Sequence, residues 1–151
     1  MPDGLYDQDF FEWTREQAAA LRAHTARSNA PLDFENLAEE IEALGRSERR
    51  MLASLIGTVI EHLLKLRFSP AADPRRGWQE TVDRARRDIG MLLDYSPSLR
   101  REVPEIVTKQ TTAAARMVGE QLARYGELDA EAASRLRVVE FAEADVLGGD
   151  A

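Results

Sequence analysis

The stretch Gly45–Lys65, GRSERRMLASLIGTVIEHLLK, decides the fold. Apolar residues return every three or four positions, the period of one face of an α-helix, and no proline interrupts them. Followed outward, the pattern predicts one long helix from about Phe34 to Phe68. Its expected core line is Leu37, Ile41, Leu44, Glu48, Met51, Leu55, Val59, His62 and Leu66. Two members of that line are polar. On a wheel of about 100° per residue with Leu37 at zero, Glu48 falls about 20° to one side and His62 about 20° to the other. About 21 Å of helix axis separates them, so they cannot touch. Each needs partners on other helices, because an unpaired buried carboxylate costs several kcal/mol or takes up a proton. Trp13 and Gln17 on an antiparallel neighbour, and Arg46, Arg49 and Arg50 on the same helix, are the partners on offer. Two readings stand: a buried polar network that fixes helix register, or a functional pocket around one of the two.

The same period covers most of the chain. A first helix from about Asp7 to Ser28 carries Phe10, Trp13, Gln17, Leu21 and His24 on one face, and NAPLDF breaks it. Asp33 then has the form of an N-cap, with Leu32 and Leu37 flanking it as a hydrophobic staple. SPAADP ends the long helix, and Asp73 with Pro74 starts a third, carrying Trp78, Val82, Ala85, Ile89 and Leu92. Ser96 and Pro97 repeat that device for a fourth, which reaches about Tyr125 with Leu99, Val103, Ile106, Ala114, Met117 and Gln121 inward. Pro104 should kink it or divide off a short opening turn. Asp129 caps a short helix to about Val139, and FAEADVLGGDA reads as a loose tail in which Phe141, Val146 and Leu147 are the residues able to pack. Gly45 and Gly57 are the expected places for a bend, and Gly45 leaves room for close approach by another backbone. The expected architecture is all-α: an antiparallel up-down-up-down four-helix bundle over residues 1–140, with a short C-terminal helix and a tail at 141–151.

A chain of 151 residues, 44% hydrophobic and 31% charged, suits one soluble domain that needs no staple. With no cysteine there is no disulfide, thiolate catalysis or cysteine-ligated metal. No apolar run approaches the roughly 18 residues of a membrane span, and the acidic start lacks the form of a signal peptide, so a cytoplasmic, non-membrane protein is expected. The net charge of −7 argues against a nucleic-acid partner. The charge is uneven: residues 1–48 hold eleven acidic and four basic residues, residues 75–101 seven basic and four acidic. Oppositely charged helices lying side by side would explain this, and so would a local basic patch for RNA or a phosphorylated ligand.

Specific chemistries find little support. Di-iron bundles need inward Glu-x-x-His pairs, but the residue three before His62 is Val59 and that before His24 is Leu21. Two histidines cannot make a three-histidine site. Asn36, Glu39, Glu40 and Glu42 suit a helix N-terminus and solvent, so no metal and no cofactor are expected. Ser47 and Ser54 have no histidine in reach, and no Gly-rich phosphate loop opens a helix. Trp13 and Trp78 read as core.

The stretches DFFEWTREQAAALR, LDFENLAEEIEALGRSERR, EHLLKLRFSP, Trp78 and DYSPSLR, in that order, resemble the motifs of a bacterial domain family of unknown function, number twenty-nine, over about Tyr6 to Tyr125. The resemblance implies a short all-helical bundle without assigned chemistry. It marks Trp13, Gln17, Asn36, Glu39, Glu40, Gly45, Arg46, Glu48, His62, Lys65 and Trp78 as motif positions with no roles attached. VVEFAEADVLGGDA departs from the aromatic, Pro-containing end common in the family, and His24 is not a motif position.

The functional expectation is an interaction or regulatory module that presents a rigid surface to a protein partner or to a second copy of itself. The alternative is an enzyme or a binder of small anionic ligands such as nucleotides or RNA. Its candidate site lies near His62, with Glu48 as a second catalytic candidate. Lys65, Arg75 and Arg76 are the candidate ligand-binding cations around the helix end at Ser69–Pro70, where Arg67 also falls.

Overall fold

Proline, capping side chains and apolar period place the helix boundaries of the computed structural model, which describes residues 4–25, 27 and 29–149. The described elements are α1 (Leu5–Gln8), α2 (Phe10–Thr25), α3 (Phe34–Phe68), α4 (Arg75–Tyr95), a 3₁₀ segment (Pro97–Glu102), α5 (Val103–Arg124), α6 (Ala130–Arg137) and α7 (Glu143–Leu147). The protein is all-α, with no strand among the described residues. The long helix has the limits read from the sequence and runs unbroken through Gly45 and Gly57. Asp33 caps it, its Oδ1 accepting the Asn36 N–H at 3.1 Å, and Asp129 caps α6 through the Ala132 N–H at 2.7 Å. Pro104 does divide the fourth helix: a 3₁₀ turn precedes it and α5 runs through it.

The chain forms two compact units. The first comprises residues up to Met51 with Met91–Glu102, and the second comprises Leu52–Gly90 with the residues from Val103 onward.

In the first unit the expected opening helix is broken at Asp9, whose extended backbone (φ −156°, ψ 92°) ends α1. That conformation lets the Asp9 carboxylate cap α2 through the Glu12 N–H. The expected end of this helix at Ser28 lies outside the described residues. The buried positions are Phe11, Thr14 and Ala18 on α2 and Phe34 and Ala38 on α3, with Leu92, Leu93 and Leu99. This corrects the expected core line. Gln17 and His24 face solvent, and Leu37, Leu44 and Met51 are 42%, 49% and 51% exposed. The helix is turned by about one residue, or roughly 100°, because small residues let α2 approach. A Cβ on Gly45 would stand 2.5 Å from Thr14 Oγ1, so the glycine admits the threonine side chain rather than a backbone. Leu32 is 57% exposed, so the expected staple is no part of the core.

In the second unit the core is Leu52, Ile56, Val59, Ile60 and Leu64 of α3, Val82, Ala85 and Ile89 of α4, and Val103, Ile106, Val107, Ala114, Val118 and Leu122 of α5. Met117, expected inward, is 40% exposed because Val118 takes the core position. The C-terminal segment, expected to be loose, is helical and held: Val146 is fully buried. The Arg86 guanidinium donates to the Val146 carbonyl at 3.1 Å and the Asp145 carbonyl at 2.7 Å. Arg86 lies beside the buried face of α4, four residues after Val82 and three before Ile89, and sequence periodicity gives no hint that it reaches across to the chain end.

Candidate functional site

The first unit collects most of the residues that packing alone does not explain. Glu48 is half-buried, and its Oε2 is shut from solvent without a hydrogen-bond partner. Burial pushes its carboxyl above the ordinary carboxylate range. Among the described residues the cross-helix or arginine pairing expected for Glu48 is not seen. Arg46 bonds Glu39 at 2.6 Å, and Arg49 bonds Glu102 at 3.1 Å.

Beside Glu48 stands an aromatic cluster. Phe10 stacks on Trp13 (centroids 5.8 Å apart) and on Tyr95 (5.3 Å), and Tyr6 meets Trp13 edge-on at 4.9 Å. Burial raises the Tyr95 phenol above its usual range, and the nearby Tyr6, Glu48 and Asp7 add to that shift. Tyr6 and Tyr95 remain 50% and 46% exposed, and Met91, one turn before Tyr95 on α4, is 65% exposed. Trp13 is half-buried rather than fully enclosed.

The other end of this unit is a salt-bridge knot that the sequence did not suggest. Arg22 is shared by Glu35 (3.1 Å), Glu39 (3.6 Å) and Glu42, which it grips with both guanidinium arms. The hydrogen bonds to Glu42 and Glu35 raise the arginine above its usual range, and Arg22 in turn holds Glu42 below the usual carboxylate range. The acidic start of α3 thus serves α2 as well as its own N-terminus. Position 22 reads as one more solvated arginine in the sequence, which is why this role was missed.

Four sequence candidates lie in the second unit, each already engaged. His62 is half-buried, and its Nδ1 lies 2.8 Å from the Thr58 carbonyl one turn back. In the neutral ring Nδ1 is then the donor and Nε2 the acceptor. Lys65 pairs with Glu61 at 3.0 Å. Arg75 closes the C-terminus of α3, donating to the carbonyls of Leu66 at 2.5 Å and Ser69 at 3.1 Å, a helix-dipole contact rather than an open anion site. Arg76 is a surface residue paired with Glu80 at 3.2 Å. Among the described residues, no cluster of three or more His, Cys, Asp or Glu could hold a metal.

A wide concavity of this unit lies elsewhere, between α5 and α6. It has a volume of about 490 Å³ and is walled by Ala115, Gly119, Ala123, Leu128, Ala133 and Leu136, with Arg116 and Arg137 at its edge. None of the residues named from the sequence as site candidates lines it. Its signal in the sequence is the small-residue spacing Ala115, Gly119, Ala123, which leaves a helix face without bulk.

No described helix is long and apolar enough to cross a membrane. A crystal structure of an alpha-helical protein of unknown function from Rhodospirillum rubrum is similar, at 24% identity and a TM-score of 0.68 over 97% of each chain. That likeness shows the fold. No curated protein matches the chain. The family model of the domain of unknown function DUF29 matches residues 5–136, and the chain belongs to that family.

Proposed function

We propose that this chain is an interaction module. In this reading it is a cytoplasmic bacterial protein, an antiparallel up-down-up-down bundle that holds a protein partner on the outer face of α3. Long amphipathic helices joined by short connections support the bundle. The observation that carries the functional reading is the apolar ridge of the first unit. Leu37, Leu44 and Met51 recur every seven residues, so they share one helix face, and each is between 42% and 51% exposed. A helix has no folding reason to hold three large apolar side chains in water at that period, and contiguous exposed apolar surface marks interaction sites. Tyr6, Met91 and Tyr95 of the same unit are also exposed, at 50%, 65% and 46%. The partner that fits has apolar side chains at its centre and a basic rim, since eleven of the first 48 residues are acidic and four are basic.

The test is co-purification from native cells followed by mass spectrometry, with wild type beside Leu37→Ser/Leu44→Ser/Met51→Ser. A protein recovered in stoichiometric amount with wild type, and lost from the folded triple variant, supports the reading. A second copy in place of a foreign partner keeps the ridge as the interface and changes only its occupant. Equal recovery with both proteins, or a monomer that brings down nothing, removes it.

A further inference from the structure

The groove on α5 has features that the interaction reading leaves unused. Its wall toward α6 is apolar and small, and its volume of about 490 Å³ lies in the range of small-molecule pockets. It continues into a second concavity of about 440 Å³, sharing Thr111, Thr112, Arg137 and Val139 with it, and onward to Phe141. A third, of about 320 Å³, adjoins through Val139 and Glu140 and is lined by Arg67 and Arg135. Three arginines, Arg67, Arg135 and Arg137, thus surround one end of an apolar trough. None of the three forms an ion pair among the described residues. Elsewhere in the same unit Lys65, Arg76, Lys109 and Arg116 each have a carboxylate, whereas Arg84, Arg87 and Arg124, like the three at the groove, have none among the described residues. Glu140, also at this end, offsets one of the three charges.

We infer that this groove binds an anionic amphiphile, an apolar chain ending in a carboxylate or phosphate head. The chain lies along Ala115 and Ala123, beside Gly119 where Leu136 packs against the helix, and the head meets the arginines at the C-terminal end of α6. A guanidinium accepts a carboxylate through two parallel hydrogen bonds. Three arginines with one glutamate among them leave a net charge of +2, enough for a carboxylate or a phosphate head. The inference lies wholly within the second unit and does not depend on the ridge of α3.

The experiment is titration of the full chain with decanoate below its micelle concentration, followed by calorimetry and amide NMR, with decanol and decyl phosphate alongside. Decanoate or decyl phosphate should bind saturably at one per chain and shift amides of α5 and α6. Decanol should bind at least about tenfold more weakly than either anion, and the tighter of decanoate and decyl phosphate identifies the head. Ala115→Phe fills the trough and should abolish binding with the helical melt intact. Arg135→Ala/Arg137→Ala, on the surface, should weaken binding about tenfold even if Ala115→Phe fails to fold. Absence of binding by both decanoate and decyl phosphate overturns the inference, as does equal affinity for decanol or unchanged affinity in the arginine variant. Concentration-dependent dimerisation that Ala115→Phe abolishes, with neither anion bound, assigns the groove to a second copy and overturns it equally.

Discussion

Ser98 donates both its backbone N–H and its hydroxyl to the Asp9 carboxylate, each at 2.8 Å. The same carboxylate accepts the Glu12 N–H at 3.1 Å, so one side chain caps α2 and the start of the 3₁₀ segment together. Ser96 Oγ answers by accepting the Phe11 N–H at 3.2 Å. Each cap is worth about 1 kcal/mol, and a hydrogen bond to a charged group somewhat more. Asp9→Ala should therefore cost about 2–3 kcal/mol in urea unfolding, and Asp9→Asn less. A loss under about 0.5 kcal/mol would show that the double cap contributes nothing.

Gly45 and Thr14 should couple. Thr14 is fully buried and its hydroxyl is held by the Phe11 carbonyl at 2.7 Å, so it cannot swing away from a methyl placed 2.5 Å off. Gly45→Ala should destabilise by about 1–3 kcal/mol despite the better helix propensity of alanine. Truncating Thr14 to alanine removes the obstructing oxygen. The double variant should then be more stable than the sum of the single losses by about 1 kcal/mol. Additive losses would mean that the contact at Gly45 is not close.

Glu48 makes stability depend on pH in the opposite sense to a salt-bridged carboxylate. Its folded pKa is raised by burial, so the unfolded chain releases this proton first as pH rises. Its contribution is favourable below the ordinary carboxylate pKa of about 4.3, falls as pH climbs to the folded value, and stays unfavourable above it. Glu48→Gln should raise the melting temperature at pH 7 and match wild type near about pH 4. A variant less stable than wild type at pH 7 would establish a favourable charge interaction of Glu48.

Arg86→Ala should release α7 without unfolding the rest. Two backbone carbonyls lose a charged donor, at about 1–2 kcal/mol together. Hydrogen exchange should accelerate at residues 143–147 and hold steady in the core of α5. Uniform exchange across the chain would place α7 within the global folding unit.

The sequence shows helix limits better than helix facing, and α3 explains why. Phe34 and Phe68 are bounded by Asp33 and Pro70, local signals that need no partner. The facing is a tertiary matter. Along the first half of α3 the large residues Leu37, Leu44 and Met51 outweigh the true seam of Phe34, Ala38 and Gly45, because hydropathy rewards bulk while helix approach needs its absence. Along the second half, where Leu52, Ile56, Ile60 and Leu64 are bulky, the periodic signal covers both faces. Glu48 stood out correctly as an odd residue, but its lack of a partner could be seen only once Arg46 and Arg49 were placed on Glu39 and Glu102. The groove on α5 has only a spacing of small residues for a signal, Ala115, Gly119 and Ala123, and hydropathy gives such a spacing no weight.

The central claim, that the ridge of α3 is where a partner sits, is tested most directly by photo-crosslinking in the native cell from a benzoylphenylalanine placed at Leu44. Arg76, an exposed position of α4 in the second unit, carries the same probe as a control. The account predicts one or a few discrete adducts from position 44, identified by mass spectrometry and competed away by excess unmodified protein, and none of them from position 76. The same faint adducts from both positions, or none from position 44, would contradict it.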